Sequence, residues 1–364
     1  MLPLFQYYPR LGESLPHVAL ASLSTPVELW SVLGADMGIR GLHVKRDDIS
    51  GEAYGGNKVR KLEFLLARAR ARGARSVLTF GAAGSNHALA TAIYARQLGM
   101  EAISMMVPQQ NAPNVQRNLL RGQAAGATLR LFGGRKMVSA GTIQELIGRH
   151  QSGLGRPFII PAGGSAPLGV VGFVNAAFEL RAQVEAGLIP EPDRIYVASG
   201  TMGTCVGLLL GLAAAGMNTR VVAVRVTTAP YTTPDKARKL YARTQGLLRR
   251  ADHSFPAIPF PETQFTLRDE FLGEGYARPT ETGGAAVRQI REMEGVSLEG
   301  TYTGKALACL LADAASGALE NEQVLFWNTY NSQSQEAAIK KVDYHQLPED
   351  FHRYFQEVPQ ALLA

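Results

Sequence analysis

The chain has very little cysteine. Its 364 residues include two, Cys205 and Cys309, too few for a disulfide framework or a four-ligand zinc site. No His-x-x-x-His pair and no close Cys/His set occurs, so metal chemistry is not indicated. No stretch reaches the roughly 18 uninterrupted apolar residues of a membrane span, and Val206–Gly216 is too short. The opening MLPLFQYYPRLG lacks a basic segment followed by a longer apolar run, so no secretory signal is expected. Internal repeats and low-complexity segments are missing too. Charged residues are only 19% of the chain against 46% hydrophobic, which excludes a disordered tail or a coiled coil. The expected compartment is a reducing cytoplasm.

What is present is a chain long enough for two domains or one large one. Lysine and arginine exceed aspartate and glutamate, giving a net charge of +6. The basic residues fall in two runs. One is Arg68, Arg70, Arg72 and Arg75; the other is Lys236, Arg238, Lys239, Arg243, Arg249 and Arg250. Apolar residues at helical spacing accompany both, so they read as solvated helix faces and not as a nucleic-acid surface. The charge favours at most an anionic small molecule.

Short apolar runs alternate with helical patterns over most of the length. Ser76–Phe80, Glu101–Val107, Thr128–Phe132, Phe158–Pro161, Arg194–Ala198, Val221–Val226 and Gln323–Trp327 read as buried parallel strands. Between them Arg60–Arg72, Asn86–Leu98, Asn114–Ala124, Lys136–His150, Val170–Ala186, Thr204–Ala215, Ala285–Glu294 and Lys305–Ser316 read as helices. This alternation is the signature of an α/β fold with parallel sheets. Two glycine-containing stretches, Ser50–Asn57 and Pro161–Gly172, interrupt it. They mark crossings between a larger discontinuous domain, residues 1–58 and 172–364, and a smaller α/β domain, residues 59–171.

Four constellations could carry chemistry. Gly55-Gly56-Asn57-Lys58 puts a lysine just after a glycine turn at a helix start. There the positive end of the helix dipole disfavours the ammonium form, and an unprotonated lysine can attack an aldehyde to form a Schiff base. The plain alternative is a solvated surface lysine, for Lys58 as for Lys61. Gly84-Ser85-Asn86-His87 lies at the carboxyl end of a strand, where open α/β folds bind ligands. Ser85 could equally be a helix cap, and His87 a satisfied, partly buried histidine. Ser199-Gly200-Thr201-Met202-Gly203-Thr204 joins a strand to an apolar helix and can cradle an anion with its N–H groups. It lacks both the G-x-G-x-x-G spacing and the P-loop ending, so a single phosphate suits it better than a pyrophosphate. Gly273-Glu274-Gly275-Tyr276 and Tyr302-Thr303-Gly304-Lys305 each precede a helix; a tyrosine there is either packing or chemistry.

Taken in order, these segments resemble the pyridoxal-phosphate enzymes of the D-cysteine desulfhydrase and 1-aminocyclopropane-1-carboxylate deaminase family. That family has fold type II architecture, like the tryptophan synthase β subunit. The similarity runs from about Leu20 to Gln333. It is carried by Lys45-Arg46-Asp47-Asp48, then Gly55-Gly56-Asn57-Lys58-Val59-Arg60-Lys61-Leu62-Glu63, Ser85-Asn86-His87, Pro161-Ala162-Gly163-Gly164-Ser165, Pro167-Leu168-Gly169 and Tyr302-Thr303-Gly304-Lys305-Ala306.

The resemblance implies two open parallel-sheet domains with the active site in the cleft between them. Lys58 would hold pyridoxal 5'-phosphate as a Schiff base and move the substrate's α-proton. Asn86 would bond the phenolic oxygen of the cofactor ring. Ser199, Gly200, Thr201, Met202, Gly203 and Thr204 would bind its phosphate. Ser85 would sit by the substrate, and Tyr276 and Tyr302 would line its pocket. Thr303 stands where the deaminase branch has a glutamate for the pyridine nitrogen. A hydroxyl there leaves the nitrogen largely unprotonated, and this weaker electron sink suffices when a good group leaves the β-carbon. His87 also matches the desulfhydrase branch.

Both features imply α,β-elimination from a small amino acid, D-cysteine first; the family resemblance further implies a homodimer. Deamination of aminocyclopropane carboxylate or of another small amino acid is the alternative. The chain departs from the family at Gly84, where glutamine is usual, at Met202, where glycine is usual, and at Asn328-Thr329-Tyr330-Asn331, where His-Thr-Gly-Gly is usual. These departures also admit a binding protein that has kept the cofactor fold and lost turnover.

Overall fold

A computed structural model describes residues 1–359. Among the described residues there are ten strands: β1 (Val27–Leu29), β2 (Gly41–Lys45), β3 (Ser76–Ala82), β4 (Glu101–Val107), β5 (Thr128–Leu131), β6 (Phe158–Ile160), β7 (Arg194–Ser199), β8 (Arg220–Arg225), β9 (Phe265–Arg268) and β10 (Gln323–Trp327). The longer helices are α1 (Asn57–Ala71), α2 (Asn86–Gln97), α3 (Pro113–Ala124), α4 (Arg135–Gln151), α5 (Pro167–Glu185), α6 (Gly203–Ala214), α7 (Pro234–Ala251), α8 (Glu281–Glu294) and α9 (Thr303–Ala315).

The chain divides into two compact units. Among the described residues, the first comprises Met1–Phe64 and Ser165–Ser332, and the second comprises Leu65–Gly164 and 333–359. The C-terminal stretch thus counts with the smaller unit. Tyr354 shows why: its carbonyl accepts the side-chain amides of Asn111 at 2.9 Å and Gln116 at 2.6 Å.

The first unit holds a six-stranded sheet in the order β1-β2-β10-β7-β8-β9. Every pairing is parallel except that of β1, which lies antiparallel to β2 at the edge. Period-two alternation sorts the side chains onto two faces. Ile195, Val197, Val221, Ala223, Leu325 and Trp327 enter one core with α5, α6 and α7; Tyr196, Ala198, Val222, Val224, Val324 and Phe326 enter the other with α8 and α9. Apolar positions on both faces explain why these strands read as continuous hydrophobic runs.

Helix α6 packs against α5 through glycines four residues apart. A Cβ at Gly207 would collide with Phe173, and one at Gly211 would lie 2.6 Å from the Cβ of Ala177. Gly172 of α5 does the same for α1, because a Cβ there would strike the carbonyl of Arg60. Those missing side chains let the first turn of α1 and the middle of α6 approach a common helix.

The second unit holds a fully parallel sheet in the order β5-β4-β3-β6. Leu78, Ile103 and Met105 form part of its buried core. Among the described residues no helix is long and apolar enough to cross a membrane.

Candidate active site

Lys58 is placed by the turn before it. Gly56 has φ +86°, and a Cβ on it would come within 2.7 Å of the Tyr330 carbonyl and 2.9 Å of the Thr329 carbonyl. A Cβ on Gly55 would collide with the Asp48 carbonyl. Only glycine threads this passage. The segment Asn328-Thr329-Tyr330-Asn331, a departure from the family pattern, supplies one wall of it, and Asn331 Oδ1 accepts the Gly55 N–H at 2.6 Å.

From that turn α1 begins at Asn57, three residues before the expected start. Lys58 is partly buried, and burial lowers its pKa from the usual 10.5 to about 8. The depression expected from the helix dipole is therefore present, with loss of solvent as its cause.

Lys61 corrects the surface reading given to it above: it is almost wholly buried. Burial holds its pKa well below the usual value, with the charge of Lys58 adding to the effect. Three residues apart on one helix, the two lysines share a face. Lys61 Nζ lies 2.9 Å from where a Cβ on Gly203 would stand.

Gly203 opens α6, so Lys61 faces the anion cradle read from Ser199–Thr204. The residue before it, Met202, caps the helix in the left-handed conformation at φ 67°. Beside it Ser165 Oγ and Thr201 Oγ1 are 2.6 Å apart. Asn57 Nδ2 donates to Thr204 Oγ1 at 3.0 Å, joining the Lys58 turn to the cradle. The Thr232 hydroxyl donates to the Gly200 carbonyl and holds the loop from behind.

A Cβ on Gly203 would also collide with Ser165 Oγ, so the cradle depends on a bare backbone. Helix-terminal N–H groups, two hydroxyls and a buried amine make a donor set that suits a phosphate monoester. Sequence reasoning missed Lys61, Ser165 and Asn57 as members of this set. For Lys61 the available signal was its i+3 spacing from Lys58.

Tyr276 and Tyr302 come together in the same unit, their hydroxyls 2.7 Å apart. Burial raises the pKa of both, and for Tyr302 the neighbouring Tyr276 raises it further. Lys305 fixes the loop that carries Tyr276, donating to the carbonyls of Leu272 at 2.7 Å and Gly275 at 3.2 Å. Thr303 is buried, and its Oγ1 accepts the Glu299 N–H at 3.0 Å. The Glu299 carboxylate caps α9, accepting from the N–H groups of Thr301 at 2.8 Å, Tyr302 at 2.7 Å and Thr303 at 3.0 Å.

Ser85, Asn86 and His87 belong to the second unit. Ser85 is the cap of α2, its Oγ accepting the Ala88 N–H at 3.2 Å. His87 is buried, with Nε2 3.0 Å from Thr79 Oγ1. Asn86 is half-buried, and its Oδ1 accepts from Asn118 Nδ2 at 2.8 Å. At Gly84 a side chain would meet Val115 Cγ2 at 2.9 Å and Gln109 Nε2 at 3.0 Å. Gln109 and Val115 thus fill the space a longer residue at position 84 would need.

An α/β protein with a partly desolvated lysine beside an anion cradle has the parts of an enzyme that carries a phosphorylated aldehyde. The comparisons agree. The sequence pattern of the family described as "Pyridoxal-phosphate dependent enzyme" matches residues 18–329. The chain belongs to that family, and its cofactor is pyridoxal phosphate. It is 33% identical over 321 residues to the D-cysteine desulfhydrase of Klebsiella pneumoniae, covering 86% of this chain and 93% of that protein. It is 32% identical over 321 residues to a protein of Pyrococcus abyssi provisionally named a 1-aminocyclopropane-1-carboxylate deaminase, covering 88% and 92%. A crystal structure of an ACC deaminase homologue superposes with a TM-score of 0.76 at 29% identity, covering 93% of this chain and 96% of that one. The protein is a pyridoxal-phosphate-dependent lyase or deaminase of the fold type II class.

Proposed function

We propose that the protein catalyses α,β-elimination from D-cysteine, giving pyruvate, ammonia and sulfide with uptake of one water. The observation that carries this reading is Thr303, a buried hydroxyl where a carboxylate would serve a stronger electron sink. The nearby Glu299 carboxylate is already engaged by three backbone N–H groups of the α9 start. Bound pyridoxal phosphate withdraws electrons from the amino acid's α-carbon. A weak sink is enough when sulfide departs from the adjacent carbon.

The residues take the following roles in this reading. Lys58, with its lowered pKa, would hold the cofactor's aldehyde and serve as the base for the substrate's α-proton. Ser199, Gly200, Thr201, Met202, Gly203 and Thr204 hold the phosphate, with Lys61 as an added cation. Asn86 donates to the phenolic oxygen of the ring. Ser85 contacts the substrate. Tyr276 and Tyr302 border it, and their paired hydroxyls can pass a proton. Against an expected larger domain of residues 1–58 and 172–364, the larger compact unit comprises Met1–Phe64 and Ser165–Ser332; in this reading the enzyme is a cytoplasmic homodimer. The two cysteines, both free and buried, suit a reducing compartment.

The test is a panel of amino acids added to the purified holoenzyme, with pyruvate and sulfide as products. D-cysteine is expected to yield both, and L-cysteine and aminocyclopropane carboxylate little of any 2-oxo acid. Release of a 2-oxo acid from the cyclopropane substrate alone would favour deamination, which the Pyrococcus relative's name supports. A holoenzyme that turns over nothing in the panel would favour the binding-protein reading.

A further inference from the structure

We propose that Asn118 is a positioning residue for Asn86, fixing which edge of the Asn86 amide donates hydrogen bonds. The inference rests on the reading of Asn86 as the partner of the cofactor's phenolic oxygen.

Asn118 lies on α3, and its Nδ2 makes two bonds in the second unit. It donates to the Gly84 carbonyl at 2.8 Å and to Asn86 Oδ1 at 2.8 Å. Both partners are acceptors, so Asn118 cannot turn its amide over without losing both bonds. Asn86 cannot turn over either, because its Nδ2 would then meet the Nδ2 of Asn118. With Oδ1 committed to Asn118, the opposite edge of Asn86 carries Nδ2 and its two N–H donors. A phenolic oxygen that is to be held as an anion requires that polarity.

The turn bearing Asn86 is held at further points. The Gly84 N–H donates to Gln109 Oε1 at 2.9 Å, and the Gln109 N–H in turn donates to Tyr354 Oη at 3.2 Å. Val115 of α3 closes the space beside Gly84. The donor edge of Asn86 is therefore set by side chains outside the Ser85-Asn86-His87 motif, which is why the motif alone does not reveal them.

The experiment compares Asn118→Asp, Asn118→Leu and Asn86→Ala as reconstituted holoproteins. Two quantities are read: the dissociation constant of pyridoxal phosphate, and the pH at which the bound cofactor's visible band changes. Aspartate matches asparagine in shape but cannot donate, so it draws Asn86 Nδ2 toward itself and turns the acceptor edge outward.

Asn118→Asp is expected to move the spectral transition in the same direction as Asn86→Ala and to weaken cofactor binding by about threefold to tenfold. Asn118→Leu removes the donor without adding charge and is expected to move the transition part of the way. It carries the test if thermal melting shows the aspartate variant to be unfolded. A transition unmoved in the Asn118 variants but moved by Asn86→Ala overturns the inference. A transition unmoved by Asn86→Ala overturns the role of Asn86 itself, and the inference with it.

Discussion

The side-chain amide of Asn57 donates to the hydroxyl of Thr204 at 3.0 Å, across 147 residues of sequence. One residue precedes Lys58 and the other stands in the first turn of α6. The bond couples the lysine turn to the anion cradle, so in the proposed reading a buried contact sets the spacing between tether and phosphate. Asn57→Ala leaves Thr204 without this donor. It is expected to weaken pyridoxal phosphate binding by about tenfold, the worth of one buried hydrogen bond, as read by equilibrium dialysis. Unchanged affinity would mean that the two elements are held together by packing alone.

The cradle's dependence on a bare backbone separates two neighbouring glycines. A Cβ on Gly203 would collide with Ser165 Oγ and crowd Lys61, whereas a Cβ on Gly200 would meet Thr227 Cγ2 and Val226 Cγ2 only at 4.0 Å. Gly203→Ala is expected to abolish measurable cofactor binding at micromolar concentration, and Gly200→Ala to retain it. Binding isotherms for the two variants check this contrast.

Behind the site lies a buried ionic cluster. Glu179 pairs with Arg60 at 2.9 Å and with Lys45 at 2.6 Å, and Arg60 also pairs with Asp47 at 2.7 Å. All four side chains are inaccessible to solvent. Burial alone would raise the Glu179 pKa, but Arg60 and Lys45 outweigh it and hold the carboxyl at about 2.

A carboxylate with a depressed folded-state pKa contributes stability above its unfolded value, and that stability is lost as pH falls toward the folded value. Unfolding midpoints are therefore expected to drop between the usual 4.5 and about 2. Glu179→Gln leaves two buried cations short of a partner and is expected to cost about 3–5 kcal/mol, measured by urea denaturation. A loss below about 1 kcal/mol would contradict the reading of a tightly interlocked cluster.

Lys58 makes a kinetic prediction. With a pKa of about 8 it is about a tenth unprotonated at pH 7, against roughly one part in 3000 for an ordinary lysine. The rate at which apoenzyme captures pyridoxal phosphate is expected to rise through pH 8 and level off above it. A rate still climbing tenfold per unit at pH 9 would show an unperturbed amine.

The fold was largely legible because β7, β8 and β10 are apolar on both faces, and their runs stand out at near-correct bounds. Three strands were not. β1 and β9 lie at the sheet's edges and carry Glu28, Thr266 and Arg268, so no apolar run marks them. β2 contains His43 and ends in Lys45, a cation whose burial is intelligible only once Glu179, 134 residues away, is seen beside it.

The site was legible in its motifs but not in its supports. Lys58 and the Ser199–Thr204 loop announce themselves by glycine and by position after a strand. Lys61 looks like any surface lysine until α5 and α6 close over it. Asn118 and Gln109 act from a helix and a loop whose local sequence carries no catalytic pattern.

The central claim is that the cofactor is tethered through Lys58 and not through the neighbouring amine of Lys61. Borohydride reduction of the holoenzyme, followed by proteolysis and mass spectrometry, tests it most directly. The account predicts a phosphopyridoxyl adduct on Lys58, absent from Lys58→Ala. An adduct on Lys61 or on any other lysine, or no adduct at all, would contradict it.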